Sequence, residues 1–180
     1  MKNELFLRII TSIIILPLSV FILYLGDIFF IIFLILIGII LIKEWIAINI
    51  KKSIMINIVG IIYITIALFF SYLLRGQDNQ QLHIFIWILT ICICSDIGGY
   101  IVGKLIGGNK LTKISPNKTI SGSFGSLFFS FFPLFFFNFF FIDNYLLLFN
   151  IKNILLNLIF SITCQIGDLL ISYYKRYNNV

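Results

Sequence analysis

The chain has 180 residues, 61% of them hydrophobic and only 11% charged, and its mean hydropathy of +1.10 lies far above that of a soluble domain of this size. That composition excludes a water-soluble enzyme, and apolar runs that are continuous rather than alternating exclude a β-barrel. The formal net charge of +6 is carried between and at the ends of these runs, and no nucleic-acid partner is expected.

A hydrocarbon core about 30 Å thick needs a helix of about 20 residues, so the expected fold class is all-α. We read a polytopic membrane bundle of about six transmembrane helices, a single integral membrane domain over 1–180 with N-terminal helices over 1–80 and a second half over 82–180. The first span, 6–25, has a charged start but no small-residue cleavage site, and is read as a retained helix. Gly26-Asp27 turns the chain into 28–48, followed by 54–74, 82–103, 124–142 and 153–174. Pro17 and Pro133 fall inside spans, where neighbouring helices can satisfy the freed carbonyls. The phenylalanine-rich run from Phe128 to Phe141 reads as lipid-facing bulk, and Trp45 and Trp87 as anchors at the membrane boundary. Cys92, Cys94 and Cys164 sit in apolar segments as small hydrophobes, without disulfide or zinc spacing.

Lys and Arg accumulate in cytoplasmic loops. With the N-terminus inside, six crossings leave only Arg75 and Lys152 of the 13 basic residues on the outer face and put the other eleven on the cytoplasmic face. Both termini are therefore expected in the cytoplasm, in a bacterial-type inner membrane. A five- or seven-span arrangement would scatter the lysines over both faces.

Two aspartates interrupt apolar sequence. A carboxylate in a span costs about 2.5–3.5 kcal/mol on insertion scales and is usually kept for an ion, a partner or a proton path. Asp96 and Asp168 both approach the cytoplasmic end of their spans, and Asp168, Ser172 and Lys175 share a helix face through their four- and three-residue spacing. Each aspartate could pair with a lysine to make burial tolerable, or the two could hold a hard divalent cation shared with phosphates. Gly99, Gly103 and Gly107 recur every four residues, a pattern that lets another helix backbone approach. Gly107-Gly108 also reads as a helix end. In Ser115-Pro116-Asn117-Lys118-Thr119, Pro116 biases Ser115 toward extended geometry. The turn then leads into a helix whose positive N-terminal end suits phosphate, with Lys118 adding a charge. The competing reading is an ordinary basic loop touching anionic head groups.

Three stretches together, SDIGGYIVGK at 95–104, SPNKT at 115–119 and GDLLISYYKR at 167–176, resemble the phosphatidate cytidylyltransferases, also called CDP-diacylglycerol synthases. The resemblance covers about residues 87–180; the first three spans agree with the family only in being membrane helices. It implies a magnesium-dependent reaction of CTP with phosphatidate, giving CDP-diacylglycerol and pyrophosphate at the cytoplasmic membrane surface. By motif it implies Asp168 and Asp96 as metal ligands, Asp96, Lys118 and Asp168 as the catalytic set, and Ser115, Asn117, Thr119, Ser172, Lys175 and Arg176 in substrate binding. Two departures stand out. Ser121 precedes Gly122 where the family has an acidic residue. The family signature also runs past Lys175-Arg176 into a Lys-Asp pair, a His-Gly-Gly and an Asp-Arg-x-Asp, whereas this sequence ends at Val180. The second half of the metal site is therefore expected from elsewhere, from a partner chain or a homodimer, unless the chain is half of a split enzyme or a non-catalytic remnant. A CTP-dependent polyprenol or phytol kinase and a small transporter subunit are the other readings left open.

Overall fold

The computed structural model describes residues 2–49, 54–112, 115, 118–140 and 149–177, with side chains from residue 14 to residue 176. They form six helices: α1 (Lys2–Leu25), α2 (Asp27–Ile48), α3 (Ile54–Arg75), α4 (Asn79–Ile106), α5 (Ile120–Phe140) and α6 (Ile151–Tyr177). Extended pairing among the described residues is limited to a single antiparallel bridge between Lys110 and Thr119. Helices α2 to α6 are each long and apolar enough to cross a membrane, and α1 contributes the apolar stretch Ile14–Leu25. The protein is an all-helical integral membrane protein. Its lipid-facing positions explain the many exposed Ile, Leu and Phe side chains, since a helix interior pairs its own backbone polar groups and can face lipid.

The helix ends differ from the sequence expectation by two to four residues in the second half, and capping explains the extensions at both ends of α4 and at the starts of α5 and α6. Helix α4 starts at Asn79 rather than 82 because the Gln81 Oε1 accepts from the backbone N–H groups of Gln77, at 3.1 Å, and Asp78, at 3.4 Å. It continues past 103 to Ile106, where Gly107, at φ +63°, donates back to the Gly103 carbonyl. Helix α5 begins at Ile120 because the Thr119 hydroxyl accepts from the Gly122 N–H at 3.1 Å. At α6, Asn150 Oδ1 accepts from the Asn153 N–H at 2.8 Å. The expected end of the fifth span at 142 lies outside the described residues.

The chain divides into two compact units, residues 1–82 and 83–180. In the first, Gly26 separates α1 from α2 in the expected turn. Arg75, at the end of α3, is 94% buried (6% exposed) and donates through Nε and Nη2 to the Leu23 carbonyl and through Nη1 to that of Gly76. One of the two basic residues on the expected outer face thus closes the C-terminal end of α1, whose last carbonyls have no partner in their own helix. A Cβ on Gly26 would run into this guanidinium. Trp45, expected as a boundary anchor, lies against Gly60, where a Cβ would meet its indole ring, and so packs between α2 and α3.

The second unit holds the buried cluster Trp87, Ile91, Leu134 and Phe137. Trp87, expected as a boundary anchor, is 3% exposed and stands edge-on to Phe160 with ring centroids 6.3 Å apart. The phenylalanine run divides by helical phase. Phe128, Phe132, Phe135, Phe136, Phe139 and Phe140 face outward, while Ser126, Ser130, Pro133, Leu134 and Phe137 face inward. Lipid tails are as apolar as leucine, so close packing and interhelical hydrogen bonds must hold these helices together. Ser95 and Ser161 meet at 3.1 Å, and Asn157 Nδ2 donates to Ser130 Oγ at 3.2 Å.

Between α4 and α5 the small residues interlock. A Cβ on Gly122 would sit 2.8 Å from the Gly99 carbonyl oxygen, and one on Gly125 would sit 2.7 Å from that of Gly98. The expected trio is corrected here. Gly99 and Gly103 pack, joined by Gly98, whereas Gly107 has no atom within 4 Å of a Cβ position and serves the helix end instead.

Two predictions follow from this packing. Gly122→Ala presses a methyl onto backbone that cannot yield, and costs on the order of 1–3 kcal/mol; Gly38→Ala meets only the flexible tip of Leu68 at 2.8 Å and costs under about 1 kcal/mol. Reversible unfolding in mixed micelles reads both, and equal losses would contradict the interlocked backbone. Arg75→Met, which strips the donors from the Leu23 and Gly76 carbonyls, lowers stability by about 2 kcal/mol in the same assay.

Candidate functional site

Three elements of the second unit converge at one end of their helices around a cavity of about 220 Å³. Its lining includes Asp96, Gly99 and Tyr100 from α4, Leu111 and Lys118 from the connecting loop, Thr119, Gly122, Ser123 and Ser126 at the head of α5, and Gln165 and Asp168 from α6. A volume below the roughly 300–1,000 Å³ of ordinary small-molecule pockets suits phosphate groups rather than a whole nucleotide with its lipid partner.

The loop after α4 folds back on itself to deliver Lys118. Leu111 N–H donates to the Lys118 carbonyl at 2.8 Å, and Ile120 N–H to that of Asn109 at 3.0 Å. Lys118 N–H donates in turn to the Ser115 carbonyl at 3.0 Å, and the Ser115 N–H to Thr112 Oγ1 at 3.2 Å. Ser121, the departure from the family pattern, donates its hydroxyl hydrogen to the Gly107 carbonyl and lies 3.0 Å from Thr119 Oγ1. A serine here pins the end of α4 to the start of α5, a role an acidic side chain could not fill against a carbonyl.

Lys118 Nζ stands 3.0 Å from Asp168 Oδ2. The two side chains are 30% and 53% exposed, so the pair is open and easily exchanged for other partners. Asp96 lies on the same cavity from the opposite helix. Four of the expected residues, Asp96, Lys118, Thr119 and Asp168, are thus brought together. Ser115 is buried and supports the loop. Ser172, Lys175 and Arg176 lie on α6 beyond Asp168, outside the cavity lining. Asn117 lies outside the described residues.

The Thr119 hydroxyl is engaged by the Gly122 N–H and by Ser121, so part of the helix end expected to be free for phosphate is capped from within. Sequence reasoning passed over Tyr100, Ser123, Ser126 and Gln165. Their signal was helical phase: Tyr100 is four residues after Asp96, Gln165 three before Asp168, and Ser123 and Ser126 follow Thr119 at near-helical steps. Lys104 Nζ lies 3.4 Å from the Tyr100 hydroxyl and 5.5 Å from its ring centroid, so Tyr100 also carries a cation beside the cavity. One helical turn from Asp96, the Cys92 and Cys164 side chains meet, a pairing of α4 with α6 that the sequence separation concealed.

Among the described residues, no group of three His, Cys, Asp or Glu side chains forms a metal cage. Magnesium commonly binds through one or two carboxylates completed by substrate phosphates and water, and two aspartates on a phosphate-sized cavity match that donor set.

Comparison with known proteins matches the part of the chain that holds this cavity. The Cytidylyltransferase family model matches residues 49–180. The phosphatidate cytidylyltransferase of Rickettsia bellii is 33% identical over 99% of this chain and 78% of its own length, and that of Rickettsia conorii is 32% identical over 99% and 79%. The Staphylococcus aureus phosphatidate cytidylyltransferase is 36% identical over 68% of this chain and 45% of its own. No solved structure matches the chain. With Asp96, Lys118 and Asp168 gathered on one cavity inside the matched region, this chain belongs to the cytidylyltransferase family and is a membrane-embedded nucleotidyltransferase.

Proposed function

We propose that the protein joins CTP to phosphatidate, forming CDP-diacylglycerol and pyrophosphate for phospholipid synthesis, in a cavity that opens to the cytoplasm from a bacterial inner membrane. The observation that carries this reading is the open Lys118–Asp168 pair facing Asp96 on a cavity at the end of membrane-spanning helices. There a lipid can present its head group while its tails stay in the bilayer, and a soluble nucleotide can reach it from water. Ten cationic side chains besides Lys118 fall on the same face if the basic residues follow the cytoplasmic bias, which favours gathering two anionic substrates.

In the reaction a phosphate oxygen of phosphatidate attacks the α-phosphorus of CTP. The new P–O bond forms as the bond to the pyrophosphate oxygen breaks, and the electron pair leaves with pyrophosphate. Such a transfer needs alignment and charge neutralisation more than covalent help from the protein. Lys118 exchanges Asp168 for a phosphate oxygen, since an exposed pair contributes only about 0–1 kcal/mol. The released Asp168 and Asp96 would hold magnesium, which when bound supplies Lewis-acid neutralisation of phosphate charge. The glycine contact between α4 and α5 holds the helix that carries Asp96 against the helix that follows Lys118.

Reconstitution of the full chain in phosphatidate-containing liposomes with labelled CTP tests this reading. We expect CDP-diacylglycerol formation that requires magnesium and falls at least 100-fold in Asp168→Asn, with unfolding stability lowered by less than about 1 kcal/mol because the ion pair is exposed. Product formation undiminished in Asp168→Asn would remove that residue from the site.

A further inference from the structure

Gln165 is the one cavity-lining side chain that carries a buried polar atom without a partner among the described residues. Its Oε1 accepts a hydrogen bond from the Ser123 hydroxyl at 2.6 Å. An amide has a carbonyl end and an NH₂ end, and here the carbonyl end faces the hydroxyl on α5, which leaves Nε2 as the other end. Nε2 is closed off from solvent yet has no acceptor among the described residues. A buried donor left unpaired is costly, and the cost is recovered when an acceptor arrives.

The surroundings define that acceptor. Gln165 lies three residues before Asp168 and so on the same face of α6, on a cavity whose other polar groups are two carboxylates, one ammonium and the hydroxyls of Tyr100, Thr119, Ser123 and Ser126. A neutral amide donor beside two carboxylates suits an oxygen of a phosphoryl group, because it offers a hydrogen bond without adding a second cation to compete for the aspartates.

Resting on the nucleotidyl-transfer reading of this cavity, we propose that Gln165 binds substrate directly, donating from Nε2 to a phosphoryl oxygen, and that Ser123 is the positioning residue that aims it. The phosphoryl oxygen belongs either to CTP or to phosphatidate, and the two sources are separable by titration.

The full chain in lipid nanodiscs, with magnesium in every sample, is titrated with CTP in one series and with short-chain phosphatidate in another. Gln165→Glu replaces the donor by an acceptor of nearly the same size. It is expected to weaken one of the two ligands roughly ten- to a hundredfold, the scale of one hydrogen bond to a charged group, and to leave the other within about threefold. Ser123→Ala keeps Gln165 but frees its amide to turn, and is expected to weaken the same ligand by a smaller factor. The ligand affected identifies the source of the phosphoryl oxygen. Wild-type affinity for both ligands in the two variants overturns the inference, as does equal weakening of both ligands together with a lowered unfolding temperature, which marks a merely structural contact. If Gln165→Glu does not fold, Ser123→Ala decides by the same criterion. Absence of CTP and phosphatidate binding in the unaltered chain overturns the site reading itself and this inference with it, whereas wild-type binding that both variants retain overturns this inference alone.

Discussion

The backbone contact between α4 and α5 is the constraint on which the second unit depends. Where Gly98 and Gly99 lie against Gly122 and Gly125, two helices approach so closely that a single added methyl would strike a carbonyl oxygen. Helices in lipid gain nothing by hiding apolar surface from one another, so they must gain it from close contact and from hydrogen bonds that bulky side chains would prevent. The site follows from that approach. Asp96 leaves α4 two residues before the paired glycines, and Thr119 caps α5 three residues before Gly122, so the closeness of the backbones brings an aspartate and a lysine-bearing loop to one small volume.

Helix α6 joins this pair by polar contacts distributed along its length. Asn153, Asn157, Ser161 and Gln165 recur every four residues, and the last three meet Ser130, Ser95 and Ser123 respectively. Each such bond contributes only about 0.6 kcal/mol on average in a membrane protein. Their value lies as much in register, because a polar stripe has one rotational setting that satisfies it. That setting turns Asp168 toward Lys118. Packing and cavity lining are thus carried by one face of one helix, with Asn153 and Asn157 at the far end and Gln165 and Asp168 at the near end.

The same economy applies to the loop. Ser115, Lys118, Thr119 and Ser121 sit within seven residues, yet only Lys118 and Thr119 reach the cavity, while Ser115 and Ser121 hold the turn that carries them. A motif of small polar residues is therefore part scaffold and part site. Its members differ in what their backbone neighbours already occupy.

Hydropathy determined the six helices and the all-α class, because a lipid solvent leaves the backbone almost no other choice. That Asp96 and Asp168 would come together with a lysine was likewise legible, since ionised groups in apolar sequence are costly and seek partners. Helix ends were legible only to within a few residues, because Gln81, Thr119 and Asn150 extend them by side-chain caps that hydropathy does not register. Trp87 and Phe137 were misjudged as boundary or lipid-facing groups, since composition carries no information on which face of a helix meets its neighbour. Only the tertiary structure decided that Gly98 packs and Gly107 does not, that Lys118 reaches Asp168 across fifty residues, that Cys92 meets Cys164, and that Gln165 accepts from Ser123 beside the cavity. These are relations between helices, and their geometry arises from the interlocking of surfaces that are distant in the chain.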